Sequence, residues 1–257
     1  MRLVFVLALI PAMAWGQYYV TSPSAAAPPA GPDSVVIVVA DSGAYSSLGG
    51  SGYVSWTQDC GTDDNRAVVI LVVNYAEAAS YYDSVKVGTV HADRGPTFQP
   101  GGGVWGGLSM WVAYGVATGS QTVTAWVRTA SATNDVGGAS VALSNAAQTF
   151  TAADTANDAG AQGNNGACST THFTLDIPSA TGSLTIMGGL FWGGPWTLSM
   201  DNDEDVQVNA KWLNHPAPRV IITRYHDGSS PTDVSFCDSG ESNFENYKLG
   251  INIRVAP

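Results

Sequence analysis

The sequence predicts an all-β fold, an antiparallel β-sandwich or jelly roll built as a single domain, and three observations predict it. Apolar residues recur at every second position in several short runs. Clusters of glycine, asparagine, aspartate and proline separate those runs, and no long segment carries a strong helical period. Side chains two apart share one face of a strand, so each run offers one apolar face to a core. No tandem repeat of the kind that builds propellers or solenoids is present in the sequence.

The chain opens Met1-Arg2, continues into the apolar run Leu3-Val4-Phe5-Val6-Leu7-Ala8-Leu9-Ile10, and then turns to small residues at Ala12, Ala14 and Gly16. One positive charge, a short apolar core and a small-residue exit are the layout of a secretory signal peptide, expected over residues 1–16. Cleavage after Gly16 gives a mature start at Gln17. A cut after Ala14 is the near alternative, and an uncleaved apolar first strand is the competing reading. The run falls short of the roughly 20 residues that cross a bilayer, and no later run reaches that length, so no membrane span is expected. Residues 17–34 form a linker rich in alanine and proline. The β domain is expected over residues 35–257, secreted or held at the cell surface.

Along that domain, residues 67–75 are almost continuously apolar and predict a central strand covered on both faces. Leu108, Met110, Val112, Tyr114 and Val116 alternate with Ser109, Trp111, Ala113 and Gly115. Val123, Ala125 and Val127 alternate with Thr122, Thr124 and Trp126. The same period appears in Phe173/Leu175/Ile177, in Val206/Val208/Ala210/Trp212 and in Leu249/Ile251/Ile253/Val255. Turn signals fall at Gly101-Gly102-Gly103 and over residues 159–166 and 227–231. A short surface helix is expected within residues 146–158.

The order of these segments carries a resemblance. Val54-Ser55-Trp56 leads to Asn65-Arg66 and then to Val68-Val69-Ile70-Leu71-Val72-Val73-Asn74-Tyr75. Asp83-Ser84-Val85-Lys86-Val87-Gly88, Ser109-Met110-Trp111-Val112-Ala113-Tyr114, Gly119-Ser120-Gln121-Thr122-Val123-Thr124 and Gly138-Ala139-Ser140-Val141-Ala142-Leu143-Ser144-Asn145 follow. Over about residues 53–145 this resembles a group of poorly characterised β-sandwich (jelly-roll-like) domains in exported bacterial proteins. The group implies surface, adhesion or appended binding modules. Its pattern places an aromatic where this chain has Val87, and a histidine after the tryptophan where this chain has Gln58 two positions beyond Trp56. No ligand or catalytic role is carried over.

Ten Lys and Arg against 21 Asp and Glu give a formal charge of −11. With no Lys/Arg cluster, the chain lacks the electrostatic footprint that a phosphate backbone requires, so nucleic acid is excluded as a partner. The three cysteines are Cys60, Cys168 and Cys237, and export would permit one disulfide with one thiol left over, in any of three pairings. A jelly roll whose first and last strands are neighbours would bring Cys60 and Cys237 to the same end, and that pairing is the expected disulfide. Zinc is not expected, because neither C-x-x-C nor H-x-x-x-H spacing occurs.

Several constellations carry chemistry by their letters. Asp201-Asn202-Asp203-Glu204-Asp205 places oxygens at alternate positions, as a calcium loop does; it reads first as a solvated acidic turn between strands, with a Ca²⁺ site at Asp201, Asp203 and Asp205 as the alternative. Gly101-Gly102-Gly103-Val104-Trp105-Gly106 satisfies G-x-G-x-x-G but lacks the strand before and helix after that a dinucleotide site needs. Gly138-Ala139-Ser140-Val141-Ala142 is one residue from a nucleophile elbow, yet the run reads as a strand. No E-x-D-x-x-E run presents the paired carboxylates of a sandwich glycosidase.

The tryptophans are more informative. Eight tryptophans include Trp105, Trp111, Trp126, Trp192, Trp196 and Trp212, several of them beside glycine or on the polar phase of a strand. Exposed indoles stack on sugar rings, whereas buried ones fill the core. The Gly-rich settings of Trp105, Trp192 and Trp196 predict ligand-binding loops. The function expected is that of a non-enzymatic extracellular module that binds a glycan or a cell surface, or contributes to a surface assembly. A secreted glycan hydrolase or lyase, and a structural subunit of an extracellular or virion assembly, are the alternatives.

Overall fold

The computed structural model describes residues 34–48, 51–76, 80–98, 107–129, 134–163, 173–177, 180–192, 198–200, 207–209, 218–225, 232–238 and 244–257. The expected leader, and the expected linker up to residue 33, lie outside the described residues.

Among the described residues the elements run β1 (Val36–Leu48), β2 (Gly52–Asp59), β3 (Ala67–Ala76), β4 (Ser80–Val87), β5 (Val90–His91), β6 (Asp93–Phe98), β7 (Gly107–Tyr114), β8 (Ser120–Thr129) and β9 (Asn134–Ser144). A 3₁₀ turn at Ala152–Asp154 leads to β10 (Thr155–Gly163), β11 (Phe173–Ile177), β12 (Leu184–Trp192), β13 (Leu198–Met200), β14 (Gln207–Asn209), β15 (Pro218–Tyr225), β16 (Thr232–Asp238) and β17 (Phe244–Ile253). They form four open, antiparallel sheets: a central sheet β1-β9-β3-β7-β6, a front sheet β2-β8-β4-β5, a back sheet β10-β17-β12-β15-β14 and a small sheet β11-β16-β13. The fold is therefore all-β, as the alternation predicts.

β3 explains the arrangement. It lies between β9 and β7, with Ile70 opposite both Ser140 and Trp111. Its side chains alternate between two cores. Val69, Leu71 and Val73 join Leu108, Met110, Val141 and Leu143 against Leu184, Ile186, Leu249, Ile251 and Ile253 of the back sheet. Val68, Ile70 and Val72 join Trp111, Ala113 and Ala142 against Val54, Trp56, Tyr82, Val85, Val123, Ala125 and Val127 of the front sheet. A strand buried on both sides must be apolar on both phases, which is why residues 67–75 lack polar alternation. The central sheet is covered on both faces, one layer more than two stacked sheets would give.

That extra layer changes the reading of β7. Its alternation suggests one polar face, yet Leu108, Met110 and Val112 face the back sheet while Trp111 and Ala113 lie in the front core. Ser109 is buried too, and accepts a hydrogen bond from Trp111 Nε1 at 2.8 Å. β8, in the front sheet, has one buried phase only: Val123, Ala125 and Val127 point inward.

Buried polar bonds lock the central sheet to the front one. Trp56 Nε1 donates to Ser140 Oγ at 2.8 Å, and Ser140 donates to Gln58 Oε1 at 2.7 Å. Room for the indole comes from Gly138, where a Cβ would lie 2.4 Å from the Trp56 ring. The Tyr82 hydroxyl bonds to the carbonyls of Val73 and, at 3.1 Å, Gly137, tying β4 to β3 and β9. At the other edge, Arg94 donates to the Tyr82 carbonyl and lays its guanidinium 4.9 Å from the centre of the Trp111 ring. Ala92 N donates to Val85 O at 2.9 Å. Two edge carbonyls of β4 are thereby occupied from within the chain.

The ends of the described domain meet at Asn145, which adopts φ 55°. Its Nδ2 donates to Ser34 O at 2.8 Å, and its carbonyl accepts from Ala256 N at 2.9 Å. Val35 is buried and donates to Gly182 O at 2.9 Å.

Two local expectations are corrected. Residues 146–158 hold no α-helix: a 3₁₀ turn spans Ala152–Asp154, and β10 begins at Thr155. Pairing with β17, which places Thr155 opposite Ile251, satisfies the backbone in place of a helix. The turn expected over residues 159–166 is strand as far as Gly163, with a register shift between Ala159 and Gln162 absorbing its small residues. Of the run Val206/Val208/Ala210/Trp212, β14 includes Gln207–Asn209, and the rest lies outside the described residues.

Candidate functional site

The front sheet turns its second face to solvent. In β2 the inward set is Val54, Trp56 and Gln58, so the pleat sends Tyr53, Ser55, Thr57 and Asp59 outward, and all four are exposed. In β8 the outward set is Thr122, Thr124, Trp126 and Arg128. A register shift in β4 between Tyr82 and Ser84 turns Asp83 outward while Tyr82 and Val85 stay buried. The β4–β5 hairpin closes through Gly88 at φ 58°, a conformation glycine adopts without a Cβ penalty.

Register arranges the outward side chains in rows. Tyr53, Trp126 and Ser84 form one row across β2, β8 and β4. Ser55, Thr124, Lys86 and His91 form the next, extending to β5. Thr57 and Thr122 follow. Tyr53 is 58% exposed, the most open large apolar side chain among the described residues. Its ring lies 6.4 Å from that of Trp126, centre to centre, with the planes tilted by 45°. Lys86 Nζ sits 5.6 Å from the centre of the Trp126 ring. Beside them Arg128 pairs with Asp83 at 3.2 Å, both substantially exposed. The face thus combines two aromatic rings, a band of hydroxyls and a central ammonium group.

The residues singled out from sequence are placed differently. Trp105, Trp196, Asp201, Asp203 and Asp205 lie outside the described residues. Trp192 ends β12 opposite Pro218, and its side chain is likewise outside them. Cys60 is a free, buried thiol that donates to Gln58 O at 3.7 Å, so the expected bridge to Cys237 is not formed in the structure. The topology accounts for this: Cys60 belongs to the core of the front sheet, whereas Cys237 sits in β16 of the small sheet, opposite Ser199. Burial, and then the charge of Asp59, pushes the Cys60 thiol up to about 11, with Arg66 acting against them. Ser140 is buried within β9 and bonded to Trp56 and Gln58, so it forms no nucleophile elbow.

Of the two tryptophans on the polar phase of an alternating strand, Trp126 reaches the open face and Trp111 does not. Tyr53, Lys86 and His91 are the members that sequence reasoning missed. Their signal is the outward phase itself, Tyr53-x-Ser55-x-Thr57 set beside Thr122-x-Thr124-x-Trp126, legible only once β2 and β8 are paired.

Elsewhere the ionisable groups serve packing. Asp154 is buried and receives Arg254 Nε at 2.7 Å together with Thr151 N and Oγ1, each at 2.8 Å. The Tyr114 hydroxyl is buried beside Phe150; burial foremost, then the charges of Asp93 and Asp154, hold it well above the ordinary phenol range. The indentation lined by Asn74, Tyr82, Arg94 and Phe98 is too shallow to enclose a water molecule. Comparison with models of known protein families, with curated proteins and with solved structures returns no match.

Proposed function

We propose that this chain is an exported, extracellular β-sandwich-like module that binds a glycan on the exposed face of its front sheet. The observation that carries the reading is the pair Tyr53 and Trp126: two neighbouring rings on an open, paired sheet, bordered by Ser55, Thr57, Thr122 and Thr124. Sugar rings offer apolar C–H faces and equatorial hydroxyls, and this face offers aromatic planes and hydroxyls in matching bands. Stacking needs exposed rings held at fixed spacing, and the β2–β8 register fixes it. A tilt of 45° between the rings suits consecutive sugars of a single, turning chain better than the flat face of a crystalline one. The leader expected over residues 1–16 and the resemblance to exported bacterial surface domains support the extracellular setting.

A glycan array probed with the mature protein, run alongside an assay for reducing ends released from the bound glycans, tests the proposal. Binding without release, lost in both Tyr53→Ala and Trp126→Ala while the melting transition is kept, is the expected result. Retained binding in both variants removes the front face from the mechanism. Release of reducing ends would assign the chain to glycan degradation instead.

A further inference from the structure

Resting on the glycan reading above, we infer that the front face selects a carboxylated sugar, a uronic or sialic acid unit, through Lys86. The chain as a whole is acidic, with a formal charge of −11. Its front face departs from that balance. Asp83 is held by Arg128 at 3.2 Å, and Asp59 stands at the far end of β2 opposite Ser120. Between them Lys86 occupies the row next to the aromatic pair, flanked by Thr124 on one side and His91 on the other.

Among the described residues Lys86 makes no ion pair, and its ammonium sits 5.6 Å from the Trp126 ring centre. An ammonium held beside an indole remains able to donate its hydrogen bonds, because the ring engages it through its quadrupole alone. A sugar ring stacked on Trp126 would therefore carry its ring substituents toward Lys86. A carboxylate there meets the ammonium as an ion pair with both hydrogen-bonding groups charged, whereas a hydroxymethyl group offers it only a neutral acceptor. The overall negative charge sets the other limit. A sparsely charged chain, one carboxylate to a ring, meets Lys86 with the distant acidic groups screened beyond about 8 Å at physiological salt. A densely sulfated polymer presents many charges to an acidic protein and is repelled.

The test is an array of matched probes: oligouronates and sialylated oligosaccharides, each printed beside its methyl ester and its carboxyl-reduced form, with heparin as the densely sulfated control. The wild-type protein should bind at least one acidic series about three- to tenfold more tightly than its ester and reduced partners. That preference should shrink with added salt. Lys86→Gln should bring the ratio of acid to neutral affinity close to one, whatever it does to the neutral forms themselves, and Lys86→Arg should retain the preference. Equal binding of acid, ester and reduced forms overturns the inference and leaves the glycan reading standing. A preference that survives Lys86→Gln, or strongest retention of heparin, overturns it as well. Binding to none of these probes overturns the inference, and the glycan reading falls with it only if the neutral glycans of the broader array are not bound either.

Discussion

Leu71 of β3 drives its side chain into the space that Gly188 of β12 leaves open: a Cβ at position 188 would stand 2.4 Å from one Leu71 methyl and 2.6 Å from the other. Both residues are buried, so neither can move aside into solvent. Gly188→Ala should therefore push the back sheet away from the central one, at a cost of about 1–3 kcal/mol for an overpacked core. Denaturant unfolding should show a lower midpoint with an unchanged slope. Pairing the change with Leu71→Val should recover part of the loss, because the two positions are in contact and their effects are not additive.

One hydroxyl carries the buried hydrogen bonds between β2 and β9. Ser140 accepts from Trp56 Nε1 and donates to Gln58 Oε1, and all three side chains are buried. Ser140→Ala would leave an indole N–H without its acceptor in a region from which water is excluded. An unsatisfied buried donor costs about 1–3 kcal/mol. Ser140→Thr retains the hydroxyl and should cost less than the alanine variant if the added methyl is accommodated. Equilibrium unfolding of the two variants side by side checks the order.

Trp111 and Trp126 stand in the same sequence setting, on the polar phase of an alternating strand, and meet opposite fates. Trp111 is buried under the Arg94 guanidinium, and Trp126 lies on the open face. Trp111→Ala should cost about 3–5 kcal/mol, as large core truncations do. Trp126→Ala should cost under about 1 kcal/mol, since it removes surface contacts. Melting curves of the two variants separate them, and a large loss for Trp126→Ala would mean that its face is covered.

The same pair shows how far the sequence reaches. The uninterrupted apolar run of β3 announces a strand covered twice, because no polar phase remains to face water. The alternation of Val123, Ala125 and Val127 announces one buried face with equal clarity. What alternation cannot convey is which sheet a strand joins. β7 neighbours β3, so its second phase is covered by the front sheet, whereas β8 lies in that front sheet and keeps its second phase open. The 3₁₀ turn and β10 were hidden for a related reason: local small residues suggest helix and turn, and pairing with the distant β17 overrides them. The candidate face was barely legible: the sequence points to Trp105, Trp192 and Trp196, whose side chains lie outside the described residues, while Trp126, Tyr53 and Lys86 matter through cross-strand neighbours that spacing along the chain does not reveal.

Arg254 anchors the carboxyl-terminal end to the turn before β10. Asp154 is buried with its side chain 3% exposed, and Arg254, 51% exposed, supplies the charge that balances it. Arg254→Met should destabilise by about 1–3 kcal/mol, less than a fully buried pair loses because solvent reaches the arginine. Asp154→Asn retains hydrogen bonds to Thr151 and should cost less. Hydrogen exchange should report the loss first around residues 145–155, where Ala147 N donates to Arg254 O at 2.7 Å.

Cys60 gives the chain a definite alkaline response. Burial raises its thiol from an ordinary 9.0 to about 11, so the folded chain holds that proton more tightly than the unfolded one does. The sign follows directly: the stabilisation is fully present below about 9 and is lost as the pH rises through about 11. Unfolding free energies measured across that window should fall with pH in the wild-type protein and fall less steeply in Cys60→Ala; equal slopes would refute the assignment. The thiolate is the reactive form, so a maleimide pulse at about pH 8 should leave Cys60 unlabelled in the native protein and label it after denaturation, with peptide mapping to distinguish it from Cys168 and Cys237. Rapid native labelling would mean that the core of the front sheet opens around Cys60 far more readily than its buried position implies.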